Sequence, residues 1–187
     1  MGLIPQKFKK NLPKLLKNKK FLSNSIKEAT KLNKKNLKTL VFFNYIPELN
    51  DFLFWSQQLL AESLGKNKKG FTPVISKAPK DHHSLLQLYL DGPRDKIFYI
   101  FSAKKTKSEK INLDFFEKKM QYLNKKSHQK VKLSQKNAFI DVLKEKKIPY
   151  REIIVKNFNE DTIGQLFLLF IFETLVISKL IGVNPFD

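Results

Sequence analysis

Four short runs rich in β-branched and aromatic residues, 39–45, 71–76, 96–103 and 151–156, are separated and followed by much longer stretches of helical pattern. Strands spaced this way cannot pair as tight hairpins. Each helical crossover returns the chain to the end of the sheet from which it started, so the strands must run parallel. The helical stretches carry their own punctuation. The first, 47–64, opens on Pro47 with Glu48 in its first turn and closes at Gly65; the second, 127–147, stops before Pro149; the third, 161–181, stops at Gly182. The fold class predicted is α/β, and 187 residues suit one domain with a small appendage.

The appendage is the segment before the first strand. Its apolar residues, Phe8, Leu12, Leu15, Leu16, Phe21, Leu22 and Ile26, recur every three to four positions among lysines, which predicts two amphipathic helices broken around Lys17–Lys20. The expected organisation is a helical segment over 1–38 packing on a domain over 39–187. The last helical stretch has nearly the length of a membrane span, but Glu173 and Lys179 lie within it, and a charge at the centre of a bilayer is costly. It is read as a core or interface helix. The N-terminus has no apolar run of signal-peptide length, and a cytoplasmic protein without a membrane partner is expected.

A formal charge of +19 raises the question of nucleic acid. Of the 36 basic residues, however, only Arg94 and Arg151 are arginine, the side chain whose planar fork reads phosphates and bases. The phenylalanines fall in apolar runs that read as core, so no nucleic-acid partner is expected. With zero cysteines and three histidines, no metal site or bound cofactor is expected either, and neither common glycine-rich phosphate loop is present.

Two places could carry chemistry. One is Asp81-His82-His83-Ser84, which follows the second strand at its carboxyl end, the side on which ligands of parallel sheets usually bind. The other is Glu62, near the end of the first long helix, with Gln58 one turn earlier on the same face. From residue types alone, a catalytic histidine competes with a capping one, and a catalytic glutamate with a solvated one. His128, isolated among lysines, reads as a surface residue, and Trp55 as core.

Several motifs, taken in order, resemble the glucose-6-phosphate isomerase family: GLIP (2–5), AESLGK (61–66), TPV (72–74), DHHS (81–84) running into LLQLYLDGPRDK (85–96), and IGVNPFD (181–187). The resemblance implies a sugar-isomerase (SIS-type) fold, a three-layer αβα sandwich on a mostly parallel sheet of about five strands, the second of two such domains. It implies that Glu62 is the base that moves a proton between C1 and C2 of the sugar through a cis-enediol. Gln58 would contact the substrate. His83, directly before Ser-Leu-Leu-Gln-Leu, would open the sugar ring; the family usually has glutamine where this chain has His82.

The implied substrates are glucose 6-phosphate and fructose 6-phosphate, interconverted in glycolysis and gluconeogenesis without a cofactor. The implied assembly is a homodimer in which His83 serves the partner's site. In the family, a phosphate-gripping loop belongs to the first domain, an arginine precedes the position of Met1 and a lysine follows that of Asp187. The chain is therefore expected to be a fragment with no isomerase activity of its own. The competing expectation is a non-catalytic sugar-phosphate-binding domain of the same fold, which would not need both Glu62 and His83.

Overall fold

The structure is a computed structural model that describes residues 13, 16–34, 37–104, 109–112 and 123–187. Its elements, in chain order, are α1 (Lys19–Lys34), β1 (Thr39–Asn44), a 3-10 turn (Pro47–Leu49), α2 (Asn50–Leu64), β2 (Thr72–Lys77), α3 (Asp81–Ser84), α4 (Leu86–Asp91), β3 (Lys96–Ala103), α5 (His128–Glu145), β4 (Tyr150–Val155) and α6 (Glu160–Ile181). The sheet is parallel throughout, in the order β2-β1-β3-β4. Among the described residues it has four strands where the resemblance implies about five. The first of the two N-terminal helices read from the sequence, like the GLIP segment, lies outside the described residues; the second is α1, which begins within the expected break.

Side-chain alternation along the strands builds the three layers. Leu40 and Phe42 of β1 and Ile97, Tyr99 and Phe101 of β3 point to one face, where they meet α1, α2 and α6. Val41 and Phe43 with Phe98 and Ile100 point to the other, where they meet Tyr89 of α4 and Phe139, Ile140 and Leu143 of α5. Both faces of β1 and β3 are thus covered, which explains their nearly continuous apolar sequence. Fully burying each aromatic ring contributes about 1.5–3 kcal/mol. Phe170 stands at the centre of the first layer, edge-on to Phe42 and Phe52 and stacked on Phe101. Trp55 of α2 packs against Phe167 of α6 with ring centroids 4.3 Å apart.

By length and hydropathy alone α6 could cross a membrane. In the fold it is a packed helix against α1 and α2, and its one acidic residue beyond the first turn has a specific partner. Arg151 of β4 donates through Nη1 to both carboxylate oxygens of buried Glu173, at 2.7 and 2.8 Å, and its guanidinium sits 5.2 Å from the centre of the Tyr99 ring. Burial pushes the Glu173 carboxyl above the ordinary glutamate range, and the guanidinium opposes that shift. Arg151→Met should therefore cost about 3–5 kcal/mol at neutral pH by leaving a buried carboxylate unpaired. In that variant the Glu173 pKa is higher folded than unfolded, so the unfolded state binds fewer protons between the two values, and stability falls as pH rises. Urea melts at pH 5 and pH 8 check this: a variant equally stable at both would show that Glu173 does not depend on Arg151.

Candidate active site

The helix that carries Glu62 is anchored at its start by Asn44, the buried last residue of β1. Its side-chain oxygen accepts from the Ile46 amide at 2.9 Å, while its amide nitrogen donates to Ile46 O at 2.7 Å and to Asn50 Oδ1 at 3.1 Å. This closes the turn that reverses the chain into α2. The helix buries Phe52, Leu53, Ser56, Leu60 and Leu64 and turns Phe54, Gln58 and Glu62, spaced four apart, to solvent. The exposed Gln58 Nε2 donates to Glu62 Oε1 at 2.9 Å, so the pair predicted from spacing is formed.

The turn after α2 is equally constrained. A Cβ on Gly65 would lie 2.5 Å from Ala61 O, which only glycine avoids. Lys66 and Lys69 then reach across to the end of α6: Lys66 Nζ donates to Asn184 O at 2.8 Å, and Lys69 Nζ to Ile181 O at 2.7 Å. There α6 ends at Gly182, in the left-handed conformation at φ 66°. The AESLGK and IGVNPFD motifs are therefore neighbours in space, a connection their separation in sequence conceals.

The DHHS motif forms the single turn α3, held by its first residue. Asp81 accepts from the Lys77 amide at 2.7 Å, Ser76 Oγ at 2.9 Å and Ser84 Oγ at 3.0 Å. Burial acts to raise this carboxyl, but these donors and the charge of Lys80 together hold it below the usual aspartate range. Asp81→Ala is expected to cost about 1–3 kcal/mol by stripping the Ser76 hydroxyl and the turn of their acceptor. Because the folded pKa is the lower one, that contribution is present above the unfolded value and lost as pH falls through the folded one. The wild-type minus Asp81→Ala stability difference, measured by urea melts, should shrink in acid; a constant difference would rule the account out.

The two histidines point different ways. His82 turns inward against Phe43 and Phe139, with ring centroids 5.1 and 5.5 Å away, and its Nε2 lies 2.7 Å from Tyr45 Oη. Burial, then the neighbouring His83, lowers the His82 pKa, and burial raises that of Tyr45, so both shifts favour the neutral forms that share this hydrogen bond. His83 is exposed. The sequence analysis names Asp81 only as part of its motif and gives Tyr45 no role in a site; the acidic residue opening the DHHS turn is the signal for the capping role of Asp81.

Glu62 and His83 are not brought together within one chain. Gln57 Nε2 donates to Pro73 O at 2.8 Å, which fixes α2 beside the start of β2, and Glu62 lies five residues farther toward the amino ends of the strands. The DHHS turn is pinned to Lys77, at the carboxyl end of the same strand. Strand and helix rises put the two some 20 Å apart.

Comparison with known proteins adds a firm relationship. No family model matches the chain. A probable glucose-6-phosphate isomerase of Methanococcus maripaludis is 37% identical over 148 residues, covering 79% of this chain and 33% of that protein. The chain is a relative of glucose-6-phosphate isomerases. The glucose-6-phosphate isomerase of Methanocaldococcus jannaschii is 33% identical over 147 residues and that of Acetivibrio thermocellus 29% over 185, or 94% of this chain. This chain spans about a third of the length of these isomerases, 33% to 39%.

The fold agrees. A hypothetical protein of Thermus thermophilus superposes with a TM-score of 0.74 over 89% of this chain and 46% of its own, at 23% identity. A glucose-6-phosphate isomerase of Chlamydia trachomatis superposes with a TM-score of 0.62 over 81% of this chain and 32% of its own, at 14% identity.

Proposed function

We propose that the chain supplies the second-domain half of a glucose-6-phosphate isomerase active site, acting on glucose 6-phosphate and fructose 6-phosphate in the cytoplasm. Glu62 takes the proton from one of the two carbons C1 and C2, leaving a cis-enediol, and returns it to the other. Gln58 holds the Glu62 carboxylate and a sugar hydroxyl. His83 protonates the ring oxygen as its bond to the anomeric carbon, C1 of the aldose or C2 of the ketose, breaks and the anomeric hydroxyl releases its proton to become the carbonyl. Neither transfer requires a metal or a redox cofactor.

The observation that carries this reading is the layout of the two groups. Glu62 and His83 are both exposed, yet they lie at opposite ends of β2. One chain cannot close both on a single sugar, whereas a two-fold pair of copies can present the histidine of one to the glutamate of the other. This layout supports a homodimer with shared sites. The committed position of His82 against Tyr45 supports His83 as the mobile acid. Of the proposed division into a helical segment over 1–38 and a domain over 39–187, the contacts between α1 and α6 support the packing of the described helix on the domain.

The test is a chimera in which this chain replaces the matching third of the Methanococcus maripaludis relative. Conversion of fructose 6-phosphate to glucose 6-phosphate, followed in a coupled assay, is the expected result. The 187-residue chain alone is expected to be inactive. A chimera that folds, by its melting transition, and binds the sugar phosphate without converting it would replace this reading with a non-catalytic sugar-phosphate-binding domain.

A further inference from the structure

A cavity of about 160 Å³ opens at the carboxyl ends of β1 and β3, on the face covered by α5. This is where the strand order reverses direction, β1 running outward to β2 on one side and the chain continuing through β3 on the other. Open parallel sheets bind ligands in such a crevice. Neither Glu62 nor His83 lines it.

Its floor holds a hydroxyl donor. Ser102, the last residue of β3 to point toward α5, is 1% exposed and faces the cavity, and among the described residues its hydroxyl has no hydrogen-bond partner. Unlike Ser25 Oγ and Tyr99 Oη, which are sealed from solvent without a partner among the described residues, Ser102 Oγ keeps its donor open to the cavity. Half-buried Lys132, one turn into α5, lines the same cavity and among the described residues has no acidic partner. His128 and Gln129, in the first turn of α5, stand beside it, and Tyr45 forms part of the wall. The opening turn of an 18-residue helix adds its own positive end. One group opposes the pattern: exposed Glu48, at the mouth.

We propose that this cavity is a second binding site, independent of the isomerase reading, and that it takes a small oxyanion of the phosphate type. Lys132 supplies the charge, and Ser102 donates its hydroxyl proton to an anion oxygen in the cavity.

The difficulty in testing it is a surface rich in lysine, which attracts anions everywhere. Ser102→Ala answers this, since it leaves the charge unchanged. The probe is inorganic phosphate, titrated into the full chain and followed by phosphorus NMR line broadening. Saturable binding is expected in the wild type, weakened about tenfold by Ser102→Ala and at least as much by Lys132→Gln, and strengthened by Glu48→Gln. The melting transition of each variant confirms folding, and Lys132→Gln, at a half-buried position, serves if Ser102→Ala does not fold. Binding that never saturates, or that is equal in wild type and the folded variants, overturns the proposal.

Discussion

Glu62→Gln in the chimera is expected to reduce turnover by roughly a thousandfold, the scale on which a positioned general base contributes. Fructose 6-phosphate should still bind within about threefold, because only the transition state requires the charge. The substitution is conservative in this setting: the new amide oxygen can still accept from Gln58 Nε2, as Oε1 does now at 2.9 Å. A loss of activity would therefore report on proton transfer and not on the helix. The decisive measurement pairs the coupled assay with incorporation of solvent deuterium at the sugar carbon, which should vanish with turnover. Retained exchange would assign the base to another residue. His83→Ala should behave differently, slowing the cyclic sugar far more than the open-chain form, whereas His82→Ala should mainly reduce stability by opening the space between Phe43 and Phe139.

The second large effect is a gain. A Glu62→Gln chimera and a His83→Ala chimera, each strongly impaired alone on the cyclic sugar, are expected to recover activity when mixed under conditions of subunit exchange. A hybrid dimer places both defects in one of its two sites and leaves the other intact. Random exchange makes half the dimers hybrid, so about a quarter of the wild-type activity should return. The basis is the distance along β2 between the two groups, which no side-chain rotation can close. Failure to recover, with exchange verified by mass, would mean that each chain assembles its own site, and the path of the chain around β2 would have to differ from the one described.

Much of this was legible in the residues. Runs rich in β-branched and aromatic residues placed β2 and β3 within one residue of their observed ends, and β3, covered on both faces, leaves the denser signal. The first run was read one residue long, since Tyr45 belongs by composition to a strand but turns to meet His82. The helix read from Pro47 begins as a 3-10 turn, and Asn50 starts the α-helix proper once the Asn44 side chain has closed the corner. Gln58 and Glu62 could be paired from sequence because a helical turn is local. The separation of Glu62 from His83 could not, because it depends on which end of a strand each neighbouring helix reaches. The same is true of Lys66 and Lys69, whose partners lie more than a hundred residues away and are backbone carbonyls, which leave no trace in side-chain identity. Ser102, one small residue at the end of an aromatic strand, is conspicuous only once the cavity above it is visible.

The packing of Trp55 on Phe167 also equips the protein with a built-in optical sensor. The sequence contains one tryptophan, and it sits where α2 meets α6. Its emission therefore reports on one seam alone: whether the long apolar helix is docked against the helix that carries Glu62. Loosening of that seam should shift the emission to longer wavelength as the indole meets water, while circular dichroism, which averages over every helix, barely changes. Detachment of α6 can thus be observed separately from unfolding of the sheet, in the unlabelled protein.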